Sequence, residues 1–376
     1  MAIKTNRPKI IIDARLYGPQ HTGLGRYTKN LLIALTNIPE FDRYQFSLLV
    51  YPELKSEIKR DLGSRFEYIT TNIRHYTFAE QLILPLVLWS HHPTLVHFTH
   101  LDKPILYIGK SVVTVHDLIR HFSHGAATTT KTPWLYWPKY WGYLLMSWFV
   151  IRFNHIIVPS NFWRDYIIKQ YSLKPSKIIT TYEAVDPDII APKPSSSQKN
   201  KGYLLYTGNL YPHKNIEIVF QTLQKDPSLH LKIICARDVF QKRAVDLAEK
   251  MGIAPQVEFL GFIPDNEFIQ VYQQALALVH PAILEGFSLT GLEAMSLGTP
   301  VIAARSSCLP EIYGDSVAYF DPYKYQELSK TINHLRRNPT FRKKLIENGY
   351  IQVAKYSWTN TAKDTLNFYH DIVYQS

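Results

Sequence analysis

An α/β protein built of two doubly wound, parallel-sheet domains is predicted by three observations. Short apolar runs rich in β-branched residues recur along the 376-residue chain, separated by longer stretches with helical patterning. Several of these runs are continuous and not alternating, as expected of strands buried on both faces of a parallel sheet. The rhythm stops at a segment rich in Pro, Ser and Lys, Pro187–Gly202, and restarts beyond it.

The first series of candidate strands comprises KIIIDA (Lys9–Ala14), YQFSLLVY (Tyr44–Tyr51), FEYIT (Phe66–Thr70), TLVHF (Thr94–Phe98), SVVTVHD (Ser111–Asp117), HIIVPS (His155–Ser160) and KIITTY (Lys177–Tyr182). The second comprises YLLYTGN (Tyr203–Asn209), LKIICA (Leu231–Ala236), VEFLG (Val257–Gly261), ALALVHP (Ala275–Pro281), PVIAA (Pro300–Ala304) and SVAYFD (Ser316–Asp321). Strands alternating with helical stretches indicate βαβ units. We therefore expect domains at 1–187 and 188–355, with 356–376 a helix returning to the N-terminal domain. A cleft at the carboxyl ends of such strands is the natural ligand site.

Composition narrows the class. Hydrophobic residues make up 46% and charged residues 19%, which excludes a disordered chain. The net charge of +11 and pI of about 9.3 suit anionic partners such as nucleotides or phospholipid surfaces. Lys and Arg are scattered without long runs, which disfavours nucleic acid. Two cysteines, Cys235 and Cys308, exclude a disulfide framework and fit a reducing compartment. The apolar run Ile10–Ile12 is too short for a signal peptide's core, so a cytoplasmic start is expected. The segment Trp134–Phe153 carries Pro138 and Lys139 and is too interrupted to span a bilayer. It reads either as a buried or half-buried helix or as a basic-aromatic face resting on a membrane surface.

Four motifs carry candidate chemistry. In TGLGRYT (Thr22–Thr28), Gly23 and Gly25 permit close backbone approach, and RYTKNLLIALTNI is expected to start a helix directly after them. Thr28 stands where a dinucleotide fingerprint needs its third glycine, which argues against a nicotinamide site. In VVTVHDLI, His116 and Asp117 are expected at a strand's carboxyl end. In YTGNLYPHKNIE, Gly208 ends a strand and Lys214 precedes a helix, either as a diphosphate-binding charge or as a solvated lysine.

The fourth motif, HPAILEGFSLTGLEAM, sets Glu285 and Glu293 seven residues apart across a loop and a short helix ended by Gly298. The N–H groups of Phe287, Ser288, Leu289 and Thr290 would form an anion site at the helix start. Carboxylates on either side of an anion suit the hydroxyls of neighbouring sugar rings, so the pattern suggests a nucleotide-sugar. Thr290 and Glu293 also match a capping box, a purely structural account of Glu293. The Asp186–Asp188 pair around Pro187 is not read as a metal site, because a hard cation needs several oxygens gathered together.

The ordered set EGFSLTGLE, AMSLGTPVIAA, LPEIYGDSVAYFDP, VEFLGFIPDNEF, TGLGRYTKNLL, VVTVHDL, HIIVPSNFWRDYI and GNLYPHKNIE resembles family 4 of the retaining glycosyltransferases. Its nearest branch is mannosyltransferase-like enzymes of polysaccharide assembly. The resemblance runs from about Lys9 to about Tyr369. It implies the GT-B fold, two Rossmann-like domains facing across a cleft, with the acceptor side N-terminal and the nucleotide-sugar side C-terminal.

The resemblance also implies roles. Glu285 would contact the donor sugar, and Phe287, Ser288, Leu289 and Thr290 would offer N–H groups to sugar and diphosphate. Glu293 would hold the ribose, Lys214 would neutralise the leaving diphosphate, and Gly23 and Gly25 would let the N-terminal loop approach it. His116 would face donor sugar and acceptor, and Gly261–Pro264 would border the base. Asn209 replaces an arginine common in the family, so a fixed charge is lost unless His213 or Arg26 supplies it.

The expected activity is metal-independent hexosyl transfer with retention, without a cofactor, from GDP-mannose or a UDP-hexose. The acceptor would be a saccharide or a lipid-linked saccharide, and the location cytoplasmic or peripheral at the inner face of the membrane. A nucleotide-sugar 2-epimerase of the same fold and a non-catalytic nucleotide-sugar-binding protein are the rivals.

Overall fold

The computed structural model describes residues 7–125, 133–189, 202–236, 238–261 and 263–374. Each of the thirteen candidate runs holds a strand. The first seven are β1 (Lys9–Asp13), β2 (Gln45–Val50), β3 (Glu67–Thr70), β4 (Leu95–Phe98), β5 (Ser111–Thr114), β6 (His155–Val158) and β7 (Ile178–Thr180). They form one sheet in the order β3-β2-β1-β4-β5-β6-β7, with all pairings parallel.

The second sheet contains β8 (Leu204–Thr207), β9 (Leu231–Ile234), β10 (Val257–Phe259), β11 (Ala277–His280), β12 (Val301–Ala304) and β13 (Ala318–Phe320). Its order is β10-β9-β8-β11-β12-β13, again parallel throughout. Both sheets reverse direction of growth beside their first strand. Loops there diverge above the carboxyl ends of β1 and β4 in one sheet and of β8 and β11 in the other, which creates a crevice.

The continuous apolar runs have the expected cause. Ile10, Ile11 and Ile12 are fully buried, as are Leu204, Leu205, Val301 and Ile302, because helices cover both faces of each sheet. Each such side chain contributes about 1.5–3 kcal/mol by leaving water.

The chain divides into two compact units. One contains residues 1–118, 138–183 and 357–376, and the other contains 119–137 and 184–356. Ile119–Trp137, expected within the N-terminal domain, thus group with the second unit, and the later division falls at Glu183, a few residues before the boundary expected at 187. Glu183, whose carboxylate is bonded to His116, stays with the first unit. Residues 190–201 of the expected linker lie outside the described residues.

The last helix, Trp358–Tyr374, belongs to the first unit and packs on the helix Thr22–Thr36. Trp358 meets Tyr27 edge-on at 6.0 Å, and Tyr369 OH lies 2.5 Å from His97 Nδ1.

Two local expectations are corrected. The helix expected to start after Gly25 begins at Thr22, so both glycines lie within its first turns. A Cβ on Gly25 would stand 1.9 Å from the carbonyl oxygen of Gly18, so this glycine is required by the chain's own backbone. Nothing lies within 4 Å of a Cβ built on Gly23. Strand β5 ends at Thr114, which puts His116 in the loop beyond it.

Pro133–Phe153 forms a single helix that contains Pro138. Its residues Trp137, Trp141, Leu145, Trp148 and Phe153 are exposed while Ser147, Val150 and Ile151 are buried, so of the two expected states the half-buried one forms. Among the described residues, no helix is long and apolar enough to cross a membrane.

Candidate active site

The site in the second unit is assembled from loops at the carboxyl ends of β8 and β11. Gly208, with φ of +130°, turns the chain out of β8 in a conformation that side chains rarely adopt. The loop then runs to Lys214. Asn215 follows in a left-handed conformation, φ 56°, before the helix Ile216–Lys225. The Asn215 amide donates to the carbonyls of Pro281 (3.3 Å) and Pro322 (2.8 Å), just beyond β11 and β13. Ile283 N–H donates to His213 O at 2.8 Å. The lysine loop is thereby clipped to the loop that carries Glu285.

The ammonium of Lys214 donates to Glu285 Oε1 at 2.6 Å. His280 Nε2, at the end of β11, lies 2.9 Å from the same oxygen. Glu285 is 6% exposed. Burial alone would raise its pKa, but the Lys214 charge and the His280 hydrogen bond outweigh burial and hold the carboxyl well below the usual range. The carboxylate is therefore ionised and paired, and Lys214 is no free surface lysine.

His213 is pushed down to about 4 by burial and then by the neighbouring Lys214 charge. It is neutral at physiological pH and does not replace the positive charge missing at Asn209. The Asn209 side chain is exposed, and its carbonyl accepts from Tyr206 OH at 2.6 Å.

The helix after Glu285 is Leu289–Ser296, with Ser288 at its N-terminal boundary. The capping-box expectation is corrected here: Thr290 is the second helical residue, and the N-cap residue Ser288 makes no side-chain capping bond. Ser288 instead sits at φ 78°, where glycine would be favoured. Its hydroxyl compensates with partners at Tyr313 OH (2.6 Å) and His280 Nε2 (3.1 Å).

Tyr313 OH also donates to Ser288 O (3.0 Å) and accepts from Gly291 N (3.2 Å). A Cβ on Gly291 would stand 2.3 Å from the Tyr313 ring, so only glycine lets the phenol reach this turn. The loop is held further by Glu285 N–H donating to Ser307 Oγ (3.1 Å) and by Cys308 Sγ near Glu285 O (3.4 Å).

Phe287 is buried and edge-on to Tyr356 at 5.5 Å. Leu289 and Thr290, in the first helical turn, are half-exposed, and first-turn N–H groups have no acceptor within their own helix. Glu293 is 5% exposed and lies one turn further on.

In the first unit, His116 is held at both ring nitrogens. Nδ1 is 3.2 Å from Glu183 Oε1 and Nε2 is 3.0 Å from Thr99 O. Tyr27 packs edge-on to the ring at 4.6 Å. Burial lowers the imidazole pKa, yet the Glu183 hydrogen bond and charge outweigh it, so the net shift is upward.

The geometry thus brings together Lys214, Glu285, Ser288 and the first turn of Leu289–Ser296 at one sheet's switch point. His116, Gly23 and Gly25 belong to the other unit. Sequence reasoning missed His280, Tyr313, Ser307 and Glu183. His280 was signalled by its place at the end of an apolar run, whereas Tyr313, 25 residues beyond Ser288, carried no local sign. Phe262, within the expected base-binding stretch, lies outside the described residues.

Paired parallel sheets with a lysine and a helix start converging at the switch point define an α/β protein equipped for an anionic ligand. Residues 21–189 match the family Glycosyltransferase Family 4, and residues 189–352 match Glycosyl transferases group 1. The chain is 30% identical over 227 residues to O-antigen chain mannosyltransferase B of Escherichia coli, a match spanning 57% of this chain and 60% of that one. It is 26% identical over 366 residues to the O-antigen chain mannosyltransferase RfbU of Salmonella typhimurium, covering 93% of this chain and 96% of that one.

Among solved structures, sucrose-phosphate synthase from Thermosynechococcus elongatus superposes with a TM-score of 0.75 at 16% identity, covering 98% and 100% of the two chains. Anabaena HepE in complex with UDP and glucose superposes at 0.69 with 18% identity, covering 97% and 100%. The chain belongs to the family 4 glycosyltransferases of GT-B fold, and it is mannosyltransferase-like.

Proposed function

We propose that this protein transfers a hexose from a nucleoside-diphosphate sugar to a saccharide or lipid-linked saccharide during polysaccharide or glycolipid synthesis, with retention at the anomeric carbon. GDP-mannose is the first candidate donor, because the two O-antigen relatives are mannosyltransferases. A UDP-hexose is the second. The observation that carries the reading is the Lys214–Glu285 pair, 2.6 Å apart, beside the start of Leu289–Ser296.

Lys214 is proposed to pass from Glu285 toward the diphosphate, where it meets the negative charge that grows as the glycosidic bond breaks. The N–H groups at Ser288–Thr290 share that charge, and no metal ion is assigned there. Glu285 then turns its carboxylate to a donor-sugar hydroxyl, and Glu293 receives the ribose hydroxyls. No side chain is assigned as a covalent nucleophile. The acceptor hydroxyl attacks from the leaving-group side and passes its proton to a donor phosphate oxygen. His116, kept oriented by Glu183 and Thr99, is assigned to the sugar and acceptor.

The exposed stripe of Trp137, Trp141, Leu145, Trp148 and Phe153 supports a peripheral place at a membrane surface, where a lipid-linked acceptor resides. On this reading the protein is cytoplasmic and works at the inner face.

The test is a thermal-shift panel of nucleoside diphosphates and their sugars, followed by NMR of the glycoside formed from the best donor. A ligand that binds only the folded state raises the melting temperature. GDP or UDP ligands are expected to do so, and the product is expected to keep the donor's anomeric configuration. An inverted product sinks the retaining mechanism. Free sugar without a glycoside would indicate an epimerase.

A further inference from the structure

We propose that His75, His100 and Asp102 form a structural site for one divalent cation of the zinc type. None of these residues belongs to the donor site. The cluster lies at the switch point of the seven-stranded sheet: Asp13 ends β1, and His100 and Asp102 follow β4. Among the described residues, His75, His100 and Asp102 form a group whose donor atoms all lie within 4.8 Å of one another. His100 and Asp102 are 4% and 3% exposed, and Glu80 is fully buried.

The distances carry the inference. His75 Nδ1 lies 3.1 Å from Glu80 Oε1, 3.2 Å from His100 Nε2 and 3.5 Å from Asp102 Oδ2. A single proton on Nδ1 serves one of these three lone pairs well and leaves the other two converging on the same point. Four nitrogen and oxygen ligands bound tetrahedrally to zinc at about 2.0–2.2 Å are separated from one another by roughly 3.3 Å. The His75–His100 and His75–Asp102 separations bracket that edge.

The outward nitrogens, His75 Nε2 and His100 Nδ1, are buried without a protein hydrogen-bond partner.

Charge agrees with this assignment. Asp13, Glu80 and Asp102 surround the single guanidinium of Arg15, which is bonded to Asp13 Oδ2 at 2.6 Å and to Glu80 Oε1 at 2.7 Å. Arg15 thus answers Asp13 and Glu80, and Asp102 is left facing the two imidazoles.

The surrounding chain is already fixed. Tyr76 N–H donates to Glu80 Oε2 (2.7 Å) and to Asp102 Oδ2 (3.1 Å). Thr77 caps the helix Phe78–Leu82 by accepting from Glu80 N–H at 3.2 Å. The cation would therefore cross-link the segment after β3 to the segment after β4, a structural role separate from transfer chemistry.

The experiment uses the tag-free full chain purified from zinc-supplemented cells. Mass spectrometry is expected to find one zinc per chain. Removing it with a strong chelator is expected to lower the melting temperature by several degrees, and cobalt(II) loading to give the visible bands of a tetrahedral nitrogen–oxygen site. His100→Ala and Asp102→Asn are each expected to abolish metal retention and the cobalt spectrum. Replacing His334, which lies outside the cluster, is expected to leave both unchanged.

If either cluster variant fails to fold, X-ray absorption of the zinc-loaded parent decides. Two imidazoles with oxygen ligands support the site, and a shell without imidazole overturns it. Absence of bound zinc and cobalt in the folded parent overturns it as well, as does metal binding that survives both cluster substitutions. Neither result bears on the donor assignment, which is read by nucleotide binding.

Discussion

Lys214, Glu285 and His280 converge on one carboxylate oxygen, so replacing any of them changes both charge and packing. Lys214→Ala is expected to reduce kcat by about 10²–10³, the scale of losing one preorganised group that stabilises developing charge. It should lower the melting temperature only modestly, because the ammonium is partly exposed. A variant that keeps its rate would remove Lys214 from the mechanism.

Ser288→Ala keeps the strained φ of 78° but loses the hydroxyl bonded to Tyr313 and His280. We expect a loss of about 1–3 kcal/mol in denaturant unfolding. Ser288→Gly should lose less, because glycine relieves the backbone.

The two buried pairs respond to pH with opposite signs. His116 has a raised folded-state pKa. Its pairing with Glu183 therefore contributes fully below the ordinary value of about 6.5, and that contribution is lost as pH rises through the folded value. Glu285 is depressed, so its contribution is present above about 4.3 and is lost as pH falls through the folded value. By NMR, Glu183→Gln is expected to lower the His116 titration midpoint. An unmoved midpoint would contradict the pairing.

At the scale of elements, two glycines set how closely helices approach neighbouring groups. Gly291→Ala would drive a methyl into the Tyr313 ring, a contact of 2.3 Å, and should displace the loop that presents Ser288. The expected signature is weaker nucleotide binding in calorimetry together with a destabilisation of about 1–3 kcal/mol. Gly25→Ala would collide with the Gly18 carbonyl at 1.9 Å.

Strand positions were legible because burial on both faces of a parallel sheet leaves continuous β-branched runs. Helix starts were less legible. The Thr22–Thr36 helix begins just before a glycine pair that reads as a loop, and Leu289–Ser296 begins without a capping bond from its own N-cap residue. In both places tertiary contacts to Gly18 and Tyr313 override the local signals.

At the scale of the whole molecule, charge and exposed aromatic surface make one joint prediction. The +11 chain should bind vesicles containing anionic lipid at low salt and release them as salt rises. Replacing Trp141, Leu145 and Trp148 together with serine should weaken binding without lowering the melting temperature, since all three are exposed. Vesicle binding that is unchanged by these substitutions would exclude this helix as the docking face.

By itself the sequence determined the α/β class, the thirteen strands, the order of motifs and the family. These follow from periodicity and from short stretches whose backbone and side chains act together. Only the tertiary structure decided what each side chain meets. It paired Lys214 with Glu285, 71 residues away, and gave Ser288 a phenol to offset its strain. It returned the last helix to the first unit and gathered His75, His100 and Asp102 within 4.8 Å of one another. The physical reason is that hydrogen bonds and ion pairs act over a few ångströms in space, and sheet topology brings distant residues within that range without leaving any local pattern to read.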